Sequence, residues 1–382
     1  MKLAVLNLTA GGMSGGYKKY MYYLLKRLSS NAVITEILCT VPTSSQTNQS
    51  VDYNSHTKSI EVRPYSVINH KLNRELRVIL DEFSPDIVYV PIERFFSYEK
   101  APIVMMLQNM EPFVYPFSGN PLSEKLKNIL RIANTRKALR RADRIIAISE
   151  FVQDLLITKM CIHPEKIGLV YHGIEKKVED PERPASVPAT CEKFLFTAGS
   201  IRPARGLEDV LSALKYLADQ NINIPLIIAG SADRAMINYR EKLLNWVKKN
   251  ELSPNVIWAG SLCESEMAWC YQNCSAFVMT SKVESFGQIA LEAMNNGCQC
   301  ISSDNPCLPE IFGNSAIYYK PRDEKELSLR IKEVLSRNEF DQISASQRAI
   351  TRASQFSWDI CAEKTVEQFV LAIEEFKRKN KG

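Results

Sequence analysis

The sequence predicts an α/β protein built from two doubly wound parallel-sheet domains. Short apolar segments alternate with longer amphipathic ones, which is typical of parallel strands connected by helices on both faces of a sheet. The chain has 382 residues, 45% of them hydrophobic, which is enough for two cores of ordinary domain size. Three prolines stiffen the segment 179–188 and divide the chain. We therefore expect an N-terminal domain over 1–178, a linker over 179–190, a C-terminal domain over 191–356 and a final helix within 357–382.

Five apolar segments of the N-terminal domain have the length and composition of buried strands. They lie at 3–8, 33–39, 86–91, 103–108 and 144–149. Helices are predicted at 17–28 and 72–83. The polar segment 43–57 carries no motif and is predicted to be a surface loop.

A glycine-rich segment, with glycines at 11, 12, 15 and 16, lies between the first predicted strand and the first helix. Glycine lets the backbone approach a ligand closely, and a helix start supplies free N–H groups. The segment matches neither the dinucleotide-binding fingerprint nor the phosphate-binding loop with its lysine. We expect this segment to contact a ligand, and the alternative is a flexible turn.

The C-terminal domain shows the same alternation. Strands are predicted at 194–199, 225–230, 256–260, 275–280 and 299–303. Later helices are predicted at 323–336, 344–356 and 358–378. The loops after the strands lie at one sheet edge, where open α/β sheets bind ligands. In the first of these loops, Arg202 and Arg205 can form a bidentate clamp on a diphosphate, and the alternative is a pair of exposed loop charges.

The segment 284–297 predicts a helix that begins at this edge. Ser285 and Gln288 have the spacing of a capping box, so we expect Ser285 to be the helix cap. An apolar stripe at helical spacing follows, formed by Phe286, Ile289, Ala290, Ala293 and Met294. The dipeptide Asn296-Gly297 is expected to end the helix.

Two carboxylates accompany this helix start. Glu284 lies in the loop before it, and Glu292 lies two turns inside the helix. A helix N-terminus suits a phosphate rather than a carboxylate, so these groups need another role. Carboxylates accept hydrogen bonds from hydroxyl groups, and a sugar nucleotide presents both a diphosphate and hydroxyls. The alternative is that Glu284 is a first-turn charge favoured by the helix dipole and Glu292 a solvated helix residue.

The spacing of Glu284 and Glu292, within Glu-Ser-Phe-Gly-Gln-Ile-Ala-Leu-Glu-Ala-Met-Asn-Asn-Gly, resembles the signature of the retaining glycosyltransferases of family four, which have the GT-B fold. The segments 308–311 and 318–323 are similar to that family's Pro-Glu and Pro-x-Asp segments. The resemblance implies two domains that face each other across a cleft and close on a nucleotide sugar. It implies transfer of the sugar, with retention, to a hydroxyl of a glycan or lipid-linked acceptor, in cell-surface polysaccharide or glycolipid biosynthesis. It also implies a last helix that crosses back onto the N-terminal domain.

The resemblance further implies which residues bind the donor and carry the reaction. Glu284, Arg205 and Arg202 are expected to be catalytic, with Glu284 at the donor sugar and the arginines at the diphosphate. Glu292 is expected at the ribose. Donor contacts are expected at Gly15, Gly16, Gly199, Arg202, Arg205, Gly230, Leu262, Glu284, Phe286, Gly287, Gln288, Ile289 and Glu292.

Two positions depart from the family pattern. Where the family has a histidine near the transferred sugar, the chain has Gln108, which cannot shuttle a proton near neutral pH. Where the family has an arginine directly after a glycine, the chain has Ser200, so Arg202 is expected to supply that charge. Gln108 and Asn109 are retained as candidate contacts to the sugar or the acceptor.

The composition argues against several other classes of protein. No apolar run approaches the ~18 residues of a membrane-spanning helix, and the first residues lack the pattern of a secretory signal, so a cytoplasmic protein is expected. The net charge of +5 is too mild to indicate nucleic acid. The ten cysteines form no C-x-x-C pair and do not cluster with the four histidines, so we expect free thiols and no metal site. No Asp-x-Asp motif is present, and no cofactor or metal is expected beyond the nucleotide-sugar substrate.

The segment 123–144 predicts a basic helix that carries an apolar stripe. The stripe consists of Leu126, Ile129, Leu130, Ala133 and Ala138. This helix is either a surface helix with a solvated basic side or a surface drawn to anionic lipid or a phosphate-bearing acceptor.

Two alternatives to a glycosyltransferase remain open from the sequence. A sugar-nucleotide 2-epimerase has the same architecture but needs acid and base residues at the sugar, and histidine is scarce in the predicted edge loops. A non-catalytic sugar-nucleotide-binding protein is motivated by the departures at Gln108 and Ser200. The donor base, the sugar, the acceptor and the oligomeric state cannot be read from these residues.

Overall fold

The computed structural model describes residues 1–9, 15–43, 56–66, 70–114 and 122–380. Residues 44–55 of the predicted polar loop, and glycines 11 and 12, lie outside the described residues. The chain divides into two compact units. The first unit contains Met1–Pro112, Lys127–Gly173 and the chain from Ser357 onward, and the second contains Phe113–Leu126 and Ile174–Phe356.

The first unit is built on a sheet of seven parallel strands in the order β3-β2-β1-β4-β5-β6-β7. The strands are β1 Lys2–Val5, β2 Glu36–Pro42, β3 Thr57–Val62, β4 Ile87–Val90, β5 Ile103–Leu107, β6 Arg144–Ala147 and β7 Ile167–Leu169. The central strands β4, β5 and β6 are buried along their whole length. Burial on both faces explains why these segments, apart from Arg144 at the start of β6, are apolar rather than alternating.

Helices connect these strands. They are α1 Gly15–Leu28, α2 His70–Phe83, α3 Glu111–Val114, α4 Leu122–Arg141 and α5 Glu150–Thr158. Helix α1 buries one apolar face that includes Tyr20, Leu24 and Leu28. Helix α5 begins after Ser149, whose hydroxyl caps it by accepting a hydrogen bond from the Val152 amide at 3.2 Å.

The second unit is built on six parallel strands in the order β10-β9-β8-β11-β12-β13. The strands are β8 Leu195–Ala198, β9 Leu226–Ala229, β10 Val256–Gly260, β11 Ala276–Met279, β12 Cys300–Ser303 and β13 Ala316–Tyr319. The helices are α6 Leu207–Ala218, α7 Ile237–Lys249, α8 Glu264–Asn273, α9 Gln288–Asn295, α10 Leu308–Phe312, α11 Glu324–Leu335 and α12 Glu339–Ala353. Both sheets are therefore parallel and doubly wound, as predicted.

The last helix, α13 Trp358–Lys379, belongs to the first unit and packs against strands β4, β5 and β6. Phe369 is fully buried with its ring 5.2 Å from that of Tyr89. Arg144, on β6, donates to Gln368 at 2.9 Å and forms an ion pair with Glu375 at 2.6 Å. Because Arg144 is buried, this pairing offsets the cost of removing its charge from water.

Three strands were not anticipated from the sequence: β3, β7 and β13. Strand β3 is an edge strand with mostly exposed or half-buried residues, so its sequence lacks the continuous apolar run that marks a buried strand. Strand β7 is also an edge strand and has only three residues.

All ten cysteines are free, and seven are buried: Cys39, Cys191, Cys270, Cys298, Cys300, Cys307 and Cys361.

Candidate functional site

The carboxyl-terminal edge of the second sheet is formed by tightly packed glycine loops. Gly199 follows β8 with a φ angle of +125°, and Gly230 follows β9 with a φ angle of +129°. A Cβ atom on Gly230 would lie 2.0 Å from the carbonyl oxygen of Gly199. Only glycine tolerates both this backbone conformation and this close approach. The two loops therefore place bare backbone at the edge of the sheet.

Arg205 lies across this backbone. It ends a short 3-10 turn, Pro203–Arg205, and a Cβ atom on Gly199 would lie 2.9 Å from its Nε atom. Gly206 follows with a φ angle of +64°, and it starts helix α6. A Cβ atom there would lie 2.2 Å from the carbonyl oxygen of Thr280, so the α6 and β11 loops touch through their backbones.

Arg205 forms an ion pair with Glu284, although the two residues are 79 positions apart in the sequence. The Arg205 side chain is 24% exposed and that of Glu284 is 13% exposed. Ser281 completes the group, because its hydroxyl accepts from Arg205 at 3.2 Å and donates to Glu284 at 3.0 Å. The ion pair is thus partly removed from water. The interaction between its two charges is therefore stronger than in a fully exposed pair.

The loop that carries Glu284 is fixed by hydrogen bonds to its neighbours. The Thr280 hydroxyl donates to the carbonyl of Arg205 at 2.8 Å, and the Lys282 amide donates to the carbonyl of Ala204 at 2.8 Å. The carbonyl of Ser281 accepts from Asn305 at 2.6 Å and from the Ser303 hydroxyl at 2.8 Å. These bonds hold the carboxylate and the guanidinium in one geometry before any ligand binds.

The helix after Glu284 begins later than the sequence predicts. Helix α9 starts at Gln288, with Gly287 as its N-cap at a φ angle of +93°, so the expected capping box at Ser285 was wrong. A left-handed residue at Gly287 interrupts the helical backbone between Ser285 and the first turn of α9. Phe286 is buried but lies before the helix, with its ring 5.9 Å from that of Phe356. The predicted end is confirmed, since Asn296 is the C-cap and Gly297 has a φ angle of +78°.

Glu292 occupies the second turn of α9, half-buried and held by Tyr271. The phenol of Tyr271 donates to Glu292 at 3.1 Å. Burial, and then the neighbouring carboxylate, raise the pKa of Tyr271 well above its ordinary value, so the phenol remains a hydrogen-bond donor. Glu284 and Glu292 therefore have different partners, a cation for one and a neutral hydroxyl for the other.

Sequence reasoning missed several residues of this edge. Ser281 and Asn305 were not selected, although Ser281 stands only three residues before Glu284 in the same loop. Lys282 was also missed. Its ammonium group pairs with Glu208 on α6 at 3.2 Å, with the Lys282 side chain 14% exposed. No spacing rule links 208 to 282, so this pair could not be found without the fold.

The remaining candidate donor residues of the second unit lie in the loops that follow β8 and β10 and in the first turn of α9. Arg202 precedes the 3-10 turn and is half-buried, whereas Ser200 is exposed. Leu262 is half-buried after β10, whose last residue, Gly260, has a φ angle of +73°. Gln288 and Ile289 form the first turn of α9 and are half-buried.

The candidate residues of the first unit lie at the carboxyl-terminal edge of its own sheet. Gly15 and Gly16 start α1, are exposed, and have nothing within 4 Å of an added Cβ atom. Gln108 follows β5, and its amide donates to the carboxylate of Glu93 at 3.2 Å. Asn109 is exposed and accepts from the Glu111 amide at 3.1 Å, which starts the short helix α3.

His172 packs among aromatic rings in the core of the first unit. It is buried, with its ring 4.6 Å from that of Tyr20 and 5.8 Å from that of Trp358. Burial lowers the pKa of His172 to about 3. The imidazole is therefore neutral at physiological pH.

The described residues contain neither a metal-holding cluster nor a membrane-spanning helix. No group of three or more His, Cys, Asp or Glu side chains in the described ranges is arranged to hold a metal ion. No helix among the same residues is long and apolar enough to span a bilayer.

Two family models together match most of the chain. The model described as Glycosyltransferase Family 4 matches residues 14–177, and the model described as Glycosyl transferases group 1 matches residues 178–354. The second match contains the whole Arg205, Ser281 and Glu284 group. The chain belongs to the GT-B glycosyltransferases.

Curated relatives and solved structures agree with this assignment. The chain is 26% identical over 203 residues to O-antigen chain mannosyltransferase B of Escherichia coli, covering 50% of this chain and 51% of that protein. It is 24% identical to O-antigen chain mannosyltransferase RfbU of Salmonella typhimurium, covering 60% of this chain and 59% of that protein. These matches span less than two thirds of either relative.

Solved structures share the fold along the whole chain. The sucrose-phosphate synthase of Thermosynechococcus elongatus superposes with a TM-score of 0.77 at 16% identity, covering 98% of this chain and all of that one. Anabaena Alr3699/HepE, solved in complex with UDP and glucose, superposes with a TM-score of 0.74 at 17% identity, covering 97% and 99% of the two chains. At this identity the likeness establishes the GT-B fold.

Proposed function

We propose that the protein is a retaining glycosyltransferase of family four that moves a hexose from a nucleotide sugar to a hydroxyl of a glycan or lipid-linked acceptor. The observation that carries this proposal is the Arg205, Ser281 and Glu284 group at the edge of the second sheet. It joins a cation suited to a phosphate with a carboxylate suited to hydroxyls. Arg205 also lies beside the backbone of Gly199.

Arg205 and Arg202 are assigned to the donor diphosphate, with the backbone at Gly199 and the first turn of α9. The amides of Gln288 and Ile289 start a helix with no acidic residue in its first turn, which favours an anion. Gly230 and Leu262 are assigned to the nucleotide base side. On the first unit, Gly15 and Gly16 are assigned to the donor diphosphate, and Gln108 and Asn109 to the acceptor.

Glu284 and Glu292 are assigned to hydroxyl groups. Glu284 accepts from the hydroxyls of the donor sugar, and Ser281 orients its carboxylate. Glu292 accepts from the ribose hydroxyls, with Tyr271 fixing one of its oxygens. Phe286 and Gly287 shape the turn that joins the two carboxylates.

The reaction proposed breaks the bond between the anomeric carbon and the diphosphate oxygen. The acceptor hydroxyl attacks the anomeric carbon on the face from which the diphosphate leaves, and its proton passes to a diphosphate oxygen. No carboxylate nucleophile is needed. Arg205 stabilises the negative charge that develops on the leaving oxygen, and its fixed position means that no reorganisation is required at that moment. We propose that these arginines, rather than a metal ion, supply the charge.

We propose a role in polysaccharide biosynthesis, which the relatives' names support, and a location on the cytoplasmic side of a membrane. Two relatives are named as O-antigen mannosyltransferases, and the HepE neighbour was solved with UDP and glucose. We propose a UDP-, GDP- or ADP-linked sugar as the donor. The two family models favour transfer over isomerisation by a sugar-nucleotide 2-epimerase.

A donor screen tests this proposal directly. Thermal melting of the purified chain with UDP-, GDP- and ADP-sugars is expected to show a rise in melting temperature with one base, because a ligand that binds only the folded state stabilises it. The selected donor is then incubated with hydroxyl acceptors, and the anomeric configuration of the product is determined by NMR. Inversion of the anomeric centre would contradict the retaining mechanism, and a new sugar nucleotide formed without acceptor would favour the isomerase.

A further inference from the structure

Helix α4 turns an apolar stripe toward solvent. Ile129 is 49% exposed and Leu130 is 63% exposed, and Leu126 on the preceding turn is 66% exposed. Ala133, one turn further on, is exposed as well. These positions recur at i, i+3, i+4 and i+7, so they share one face of the helix.

The opposite face of α4 is buried, although it contains polar residues. Asn128 is 2% exposed and accepts from the Arg131 guanidinium at 2.8 Å. Thr135 is 1% exposed and donates to the carbonyl of Glu93 at 3.5 Å. A surface helix ordinarily buries its aliphatic residues and exposes its polar ones. The exposed stripe of α4 therefore does not contribute to the core. Ala138 is the one residue of the predicted stripe that is buried.

The rest of the outward face is positively charged. Arg136, Lys137, Arg140 and Arg141 line, with Ala133, an open depression of about 530 Å³. Within the described part of the chain, Arg136, Arg140 and Arg141 form no ion pair. The segment 125–141 contains seven basic residues and no acidic one. We call the exposed residues Leu126, Ile129, Leu130, Ala133, Arg136, Lys137, Arg140 and Arg141 the α4 surface.

We propose that the α4 surface docks the protein on an anionic lipid bilayer. The apolar stripe lies among the upper acyl chains, and the arginines and lysine contact the headgroup phosphates. This arrangement matches interfacial helices, in which aliphatic residues on one part of the face and Lys or Arg on the rest act together. The occupant follows from charge complementarity. A second copy of the chain would bring two sets of unpaired cations together, and a nucleic acid would leave the Ile129 and Leu130 stripe in water.

Vesicle binding tests this inference without any donor or acceptor, so its failure is distinct from failure of the proposed glycosyl transfer. The full chain is sedimented with vesicles of phosphatidylcholine alone and with vesicles that hold an equal share of phosphatidylglycerol. Binding is expected only to the anionic vesicles and is expected to weaken as salt is raised. Replacing both Arg140 and Arg141 by Glu is expected to reduce the partition coefficient at least ~30-fold, since each lost cation contributes about fivefold.

Matched variants separate a surface effect from general loss of charge or of apolar area. Lys248 and Lys249 form an equivalent basic pair in the last turn of α7, so the double change K248E/K249E is the charge control. Leu329, 60% exposed on α11, is the control for Leu130→Ser. We expect L130S to reduce anionic binding and L329S to leave it unchanged, with melting temperatures unaltered in both.

Three results would overturn the inference. The first is equal partition of the protein onto neutral and anionic vesicles, or onto neither. The second is equal loss of binding in the α7 control and the α4 variant. The third is a dimer in analytical ultracentrifugation that L130S converts to monomer, because the stripe would then be covered by a second copy.

Discussion

The carboxyl-terminal edges of the two sheets differ in their chemistry. The edge of the second sheet concentrates charge, with Arg205 paired to Glu284 and Lys282 paired to Glu208. The edge of the first sheet offers neutral groups at Gln108 and Asn109, and beside them Glu93, a carboxylate that is 4% exposed and accepts from the Gln108 backbone amide. The comparison indicates that the paired charges of one edge suit the proposed diphosphate site, whereas the neutral amides of the other suit the proposed contacts to acceptor hydroxyls.

Loss of the carboxylate at the charged edge is expected to have the largest effect. Glu284→Ala removes the group assigned to the donor sugar and frees Arg205 from its ion pair, so we expect the transfer rate to fall by at least ~100-fold, about 3 kcal/mol in barrier. Steady-state kinetics with the selected donor measures it. Glu333→Ala, on the exposed side of α11, is the control, and a loss of less than about tenfold in Glu284→Ala would contradict the assigned role.

The glycine packing at the same edge can be broken independently of charge. Gly230→Ala places a Cβ atom 2.0 Å from a carbonyl oxygen at a φ angle of +129°, so we expect the free energy of unfolding to fall by ~3 kcal/mol. Gly260→Ala is the matched control, since its φ angle is +73° but nothing lies within 4 Å, and it is expected to cost ~1 kcal/mol. Urea denaturation distinguishes them, and equal costs would mean that the close approach is not maintained.

The conservative change Arg205→Lys tests whether the shape of the guanidinium, and not only its charge, is required. Arg205→Lys keeps the charge but loses the planar fork, and we expect the turnover number to fall about tenfold while the protein stays folded. Arg322→Lys, outside the Arg205, Ser281 and Glu284 group, serves as the matched change. Full activity in Arg205→Lys would show that a point charge is sufficient.

The free energy of unfolding is expected to depend on pH through the buried His172 of the first unit. Burial lowers the pKa of His172 to about 3, whereas the unfolded histidine titrates near 6.5, so the unfolded state binds more protons between these values. Stability is therefore expected to fall with decreasing pH across this window, by up to ~1.4 kcal/mol per unit. Urea denaturation at pH 7, 6 and 5 measures the slope. His172→Phe should flatten that slope, and an unchanged slope would assign the acid sensitivity to other groups.

The neutral edge is expected to give the smallest kinetic effect. Gln108→Ala removes an amide assigned to the acceptor, so a few-fold rise in acceptor KM is expected, with donor KM unchanged, because a neutral hydrogen bond contributes ~1 kcal/mol. Initial rates at varied donor and acceptor separate the two constants. A rise in donor KM instead would move Gln108 to the donor side and weaken the contrast between the edges.

The sequence predicted the doubly wound class and the buried strands well, because apolar segments such as β5 and β11 are buried along their whole length. It did not predict the start of α9, since a left-handed Gly287 and a capping box at Ser285 and Gln288 are both compatible with the same residues. Partners far apart in the chain, such as Lys282 with Glu208, depend on loop geometry that local patterns do not encode. The outward orientation of Ile129 and Leu130 was also hidden, because periodicity identifies a stripe and not the side to which it turns.

Helix α13 has a consequence for how the molecule assembles during synthesis. Its buried Trp358 and Phe369 complete the core of the first unit, yet the ribosome translates them only after the entire second unit. The face of strands β4, β5 and β6 that α13 covers therefore stays exposed while some two hundred further residues are synthesised. We expect a fragment ending before Ser357 to recruit chaperones and aggregate, although it holds all seven strands of its sheet.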